Sequence, residues 1–124
     1  MRLSEFELDV MAHFWSDGEL SAPALFERLG DARGITYSTV KTIIDRLEQK
    51  GAVKRVSNQG RTIFYAPAIK QEKIRRPLVK SVVRRLFGDD LRPLFAQLLR
   101  DERLSDEDLE YLQKLVEDAR KAKK

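Results

Sequence analysis

Apolar positions recur at helical spacing through the first fifty residues. Ser4 followed by Glu7 is a capping-box pattern, and it opens a run in which Phe6, Val10, Met11, Phe14 and Trp15 share a face before Asp17-Gly18. This predicts a first helix over residues 4–16. Ser21-Ala22-Pro23 supplies a cap and a first-turn proline, and Leu25, Phe26 and Leu29 give a short apolar face that ends at Gly30. After a brief connection from Gly30 to Gly34, Thr36 caps a third helix predicted over 37–50, with Val40, Ile43, Ile44 and Leu47 inward and Lys50-Gly51 as its stop. The period then changes to two. Residues 52–56 and 61–65 read as strands joined by the polar turn Ser57-Asn58-Gln59-Gly60, which is a β-hairpin.

Beyond Pro67 the pattern is helical again, in three amphipathic segments. The first aligns Leu78, Val79, Val82, Val83, Leu86 and Phe87 and stops at Gly88; Pro77 should kink it or mark a fresh start. The second presents Leu91, Leu94, Phe95, Leu98 and Leu99, with Pro93 in its first turn. The third opens at Ser105, with Asp108 three residues on, and aligns Leu109, Leu112, Leu115 and Val116. Three short helices in so few residues can hardly enclose one another's apolar faces. A second copy of the chain is the commonest cover, so a dimer is expected through Val82, Val83, Leu86, Leu91, Leu94, Phe95, Leu98, Leu109, Leu112, Leu115 and Val116. Packing back onto the N-terminal part is the other solution. The expected fold class is mainly α: a winged helix-turn-helix over residues 1–68, then a helical dimerisation region with a basic tail over 69–124.

A chain of 124 residues has room for one modest core. Without an apolar stretch of about 18 residues it is not expected to span a membrane, and acids at Glu5 and Glu7 stand where a secretory leader needs apolar residues. A cytoplasmic location follows as the expectation, and the absence of cysteine fits a reducing compartment. The net charge of +4 conceals larger opposing blocks. Residues 1–34 carry three basic and seven acidic side chains, residues 35–65 six and two, residues 69–87 seven and one, and residues 88–118 four and ten. A polyanion would therefore meet residues 35–87.

The outer side of the third helix carries the candidate chemistry. With the apolar residues inward, Tyr37, Ser38, Thr39, Lys41, Thr42, Asp45 and Arg46 face out or lie on the flanks. Recognition helices place their first turns on base edges, where hydroxyls bond donors or acceptors and lysine reaches guanine. Ser38, Thr39, Lys41 and Thr42 are the expected base readers, with Tyr37 beside them. Arg46, one turn on, suits a phosphate. At the hairpin, Arg61 is the expected wing contact, with Asn58 and Gln59 as weaker candidates. Lys73, Arg75, Arg76, Lys80, Arg84 and Arg85 could add phosphate contacts, although helical spacing is expected to scatter them.

These segments resemble the BlaI/MecI penicillinase-repressor family along nearly the whole chain. Leu3-Ser4-Glu5 through Phe14-Trp15 resembles that family's opening helix, and Thr36 to Leu47 its recognition helix. Lys50-Gly51, Gly60-Arg61 and Tyr65-Ala66-Pro67 resemble its wing, and Leu104-Ser105-Asp106-Glu107 the start of its last helix. The resemblance implies a homodimeric repressor whose winged domains read a palindromic operator in double-stranded DNA. Two positions depart from the family. Its protease-cleaved asparagine-phenylalanine pair is Gln97-Leu98 here, which argues against release by that cut. The cysteines of its copper-responsive relatives are missing, which excludes that kind of copper sensing. Release by cleavage elsewhere, by a ligand between the helices, or by protein concentration alone stays open.

Other chemistry finds little support. His13 is the sole histidine, too few for a usual zinc site or a triad, and Asp89-Asp90 and Asp106-Glu107-Asp108 sit at helix starts where carboxylates complement the helix dipole. Neither phosphate-loop glycines nor a nucleophile elbow occurs. No catalytic residue, metal or cofactor is expected. A winged-helix protein-protein module without specific DNA binding is the alternative function.

Overall fold

The capping box at the start of the chain forms as its residues require. In the computed structural model, which describes residues 1–30 and 34–123, the Ser4 hydroxyl accepts from Glu7 N and the Glu7 carboxylate accepts from Ser4 N. From this cap runs α1 (Glu5–Asp17), stopped by Gly18. A two-residue strand, β1 (Leu20–Ser21), leads into α2 (Ala22–Leu29). Ser21 serves both elements. It pairs with Phe64 in the sheet, and its hydroxyl accepts from Ala24 N to cap the helix. The connection expected between Gly30 and Gly34 includes residues 31–33, which lie outside the described residues, as does Lys124 of the basic tail. Next, α3 (Tyr37–Lys50) starts at the Thr36 cap and ends at Gly51 in the left-handed region.

The wing is larger than the sequence suggests. It comprises β2 (Val53–Gln59) and β3 (Thr62–Pro67), and with β1 they form a three-stranded antiparallel sheet in the order β1-β3-β2. The expected four-residue turn at 57–60 is a correction: Ser57, Asn58 and Gln59 belong to β2, and Gln59 pairs with Thr62 across the two-residue turn Gly60-Arg61. Gly60 supplies the positive φ, +62°, that the first turn position of a II′ hairpin demands. A bulge at Val56 lies between the Arg55–Tyr65 and Ser57–Phe64 pairs, adding twist to the exposed arm. The expected two-stranded hairpin is likewise completed by β1, whose Leu20 pairs with Tyr65.

One core unites these elements. Val10, Met11 and Phe14 from α1, Leu25 from α2, Val40, Ile44 and Leu47 from α3, Ala52 just ahead of β2, and Tyr65 from β3 are fully buried. Each large side chain among them contributes about 1.5–3 kcal/mol relative to exposure. Trp15 closes the edge, where its indole Nε1 donates to the Ile69 carbonyl at 3.0 Å. Beneath α1, Glu7 is buried and meets Lys50 Nζ at 2.8 Å.

The chain divides into compact units over residues 1–78 and 79–124. Spanning that division, α4 (Gln71–Phe87) passes through Pro77 without a fresh start, although proline leaves the Lys73 carbonyl without its helical donor. Then come α5 (Arg92–Asp101) and α6 (Asp106–Ala122). Asp90 accepts from Arg92 N ahead of α5, and the hydrogen bonds from the Arg92 side chain and amide hold its carboxyl below the ordinary range. Ser105 and Asp108 form the second capping box. None of these three helices has a fully buried residue.

Candidate nucleic-acid interface

The geometry of α3 separates its polar residues into a crest and two flanks. Burial of Val40, Ile43, Ile44 and Leu47 points Ser38, Thr42, Asp45 and Gln49 directly outward by helical spacing. Thr39 and Arg46, both exposed, occupy one flank; Tyr37 and Lys41 occupy the other, toward the wing. Gln49 was not among the expected contacts, although the spacing 38-42-45-49 was available to reveal it.

Two of the crest and flank hydroxyls are already engaged. The Thr42 hydroxyl donates to the Ser38 carbonyl at 3.0 Å, so its lone pairs and methyl group remain for a partner. Thr39 Oγ1 shares a hydrogen bond with Thr36 Oγ1 at 3.0 Å within the cap. The Tyr37 ring stands edge-on against Phe26, with centroids 6.0 Å apart, and this holds it at the α2–α3 junction.

On the wing, Arg55 is committed internally. Its guanidinium bonds Glu48 at 2.9 Å, which raises its already high pKa further and neutralises an acid of α3, and it lies over the Tyr65 ring. Ser57 donates to Glu19. Arg61 at the tip is exposed and has no ion pair among the described residues. Tyr37 and Lys41 from α3, Arg61 and Tyr65 from the wing, and Ala22 and Pro23 at the start of α2 line one cleft of about 100 Å³. The structure thus brings together Lys41 and Arg61, which are 20 positions apart in sequence. The Tyr65 hydroxyl is buried without a hydrogen-bond partner, an arrangement that costs about 1–3 kcal/mol.

The cations of α4 differ in their surroundings. Lys73, Arg76, Lys80 and Arg84 fall on one stripe of an uninterrupted helix, opposite Leu78, Val79, Val82 and Leu86. Arg75 instead bonds Glu72, and Arg85 bonds Ser81. On the three C-terminal helices, Leu86 is 72% exposed, and Phe95, Leu98, Leu109, Leu112, Leu115 and Val116 are also exposed. Val83 and Leu94 are half-buried. His13 is half-buried in α1, and Phe14 belongs wholly to the core. Among the described residues no cluster of three or more histidines and carboxylates is placed to hold a metal, and no helix is long and apolar enough to cross a membrane.

Comparison with known proteins agrees with this architecture. The penicillinase repressor of Staphylococcus aureus is 26% identical over 121 residues, covering 98% of this chain and 95% of that protein. The penicillinase repressor of Bacillus licheniformis is 24% identical over 123 residues, covering 99% and 95%. Among solved structures, the DNA-binding domain of the repressor BlaI superposes with a TM-score of 0.51 at 27% identity, over 56% of this chain and 84% of that one. The sequence profile of the penicillinase repressors matches residues 3–118. With its winged helix-turn-helix in place and this profile matched along nearly its full length, the chain belongs to the penicillinase repressor family, whose members are transcriptional repressors and not enzymes.

Proposed function

We propose that the protein represses transcription by binding a two-fold symmetric DNA operator as a homodimer. The observation that carries this reading is the polar crest of α3, standing clear of the core beside an arginine-tipped wing. In this reading, α3 enters the major groove. Ser38, Thr39 and Thr42 meet base edges, Tyr37 and Lys41 line the side nearer the wing, and Arg46 and Arg61 hold phosphates. The winged unit is the DNA-binding part and the helices beyond it are the dimerisation part.

The exposed apolar stripes of α4, α5 and α6 support a second copy as the partner. A lone chain leaves Leu86, Phe95 and Leu98 in water, and two-fold pairing covers such surfaces while presenting two α3 helices to one duplex. Half-sites then lie about 10 base pairs apart or at a multiple of that. A dimer seated over a promoter blocks polymerase, which gives repression without any further activity, in the cytoplasm where the DNA is.

Selection of bound sequences from a random duplex library, followed by affinity across a salt series, tests the reading. A palindromic winner bound about 10³-fold more tightly than scrambled DNA, with a steep salt slope, is the expected result. Failure to enrich any sequence would overturn it in favour of a protein-interaction module.

A further inference from the structure

The cleft between α3 and the wing has features that base reading does not use. Lys41 and Arg61 both line it, and no carboxylate does. Tyr65 contributes to the lining, but its hydroxyl is enclosed in the core and does not reach the cleft. Thr62 and Ile63 complete the wing side of the lining. The nearby acid Glu48 is already bonded to Arg55, on the other wing strand. Two cations beside about 100 Å³ of space, with no carboxylate in the lining, make a receptor for a compact anion with several acceptor oxygens.

We infer that this cleft seats one phosphate-type oxyanion, which in the DNA complex is a single backbone phosphodiester group. The DNA half of this inference rests on the function proposed above; the oxyanion half does not. The phosphate oxygens accept from Lys41 Nζ and the Arg61 guanidinium. Lys41 then leaves the set of base readers and becomes half of a clamp joining the recognition helix to the wing. Sequence is left to Ser38, Thr39 and Thr42. The clamp fixes how deeply α3 sits in the groove, because one phosphate must satisfy two elements of the fold at once.

Two measurements on the full chain decide the matter. In the first, inorganic phosphate is titrated against chloride at constant ionic strength while backbone amide shifts are followed by NMR. Saturable shifts at Lys41, Arg61, Thr62 and Tyr65 are expected, and Lys41→Gln should weaken the binding by about tenfold or more. Absence of shifts in the cleft, or shifts that persist unchanged in Lys41→Gln and in Arg61→Gln, overturns the oxyanion site.

In the second, operator duplexes carrying one neutral methylphosphonate linkage at each position in turn are bound to the wild-type protein and to Lys41→Gln. One linkage per half-site should weaken wild-type binding and have little further effect on the variant, while the variant keeps its sequence preference. A penalty pattern identical in the two proteins, or an altered sequence preference, overturns the phosphodiester assignment and leaves a free oxyanion as the occupant. If the random library yields no operator, the function proposed above fails by itself, and the phosphate titration still decides the site.

Discussion

Lys50 Nζ bonds Glu7 Oε1 at 2.8 Å and the Arg2 carbonyl at 2.9 Å, joining the last turn of α3 to the first turn of α1. Burial pushes the Glu7 carboxyl up, but hydrogen bonds from Lys50, Ser4 N and the Ser4 hydroxyl, together with the Lys50 charge, outweigh that and hold it below its ordinary value. The C-terminal end of α3 is thereby anchored, opposite the turns that the proposed function places on DNA.

A depressed folded-state pKa means that the stabilisation from Glu7 is present above about pH 4.5, its ordinary value, and is lost as pH falls through the lower folded value. Glu7→Gln should therefore lower stability at neutral pH and narrow its deficit against the wild type near about pH 3. Lys50→Met should cost more at neutral pH, about 2–3 kcal/mol, because it strands a buried carboxylate. Urea unfolding at the two pH values measures both effects. A deficit for Glu7→Gln that stays constant with pH would contradict the pairing.

The Trp15 indole bond to the Ile69 carbonyl ties α1 to the strand exit just ahead of α4. Trp15→Phe keeps most of the packing and removes the donor, so a loss of about 1–2 kcal/mol is expected from the unpaired carbonyl. Amide exchange should quicken in residues 69–72 before it does in α3. Equal protection in the two proteins would show that the bond does not hold this segment.

Crest and flank residues should separate in DNA binding. Ser38→Ala and Thr42→Val are expected to change which bases are preferred, at about 1–3 kcal/mol per altered contact. Arg46→Ala and Arg61→Ala should weaken all sequences nearly alike and reduce the salt slope by about one each. Competition binding against single-base operator variants distinguishes the two patterns. A marked change of preference in Arg61→Ala would contradict a phosphate role for the wing tip.

Leu86 tests the assembly, since at 72% exposure it contributes little to the fold of a single chain. Leu86→Glu should leave helical content unchanged, shift the sedimenting species from dimer to monomer and weaken operator binding. A variant that sediments as the wild type does would remove α4 from the dimer surface.

The sequence by itself determined the local elements. Ser4–Glu7, Ser21, Thr36 and Ser105–Asp108 mark helix starts through bonds made within three residues, and the inward set Val40, Ile43, Ile44 and Leu47 follows from spacing alone. Family membership was legible for the same reason, because its signature lies in contiguous stretches. Contacts between distant residues were decided only by the tertiary structure. A two-residue strand such as β1 has no period to detect and exists because Leu20 meets Tyr65. The length of the wing depended on register, which moved Ser57, Asn58 and Gln59 from the turn into β2. Pro77 left a kink and a fresh start both open, and the structure shows no fresh start, because α4 runs through it from Gln71 to Phe87. Lys41 and Arg61 were each singled out from local pattern, but the cleft they share arises only when the wing folds back beside α3.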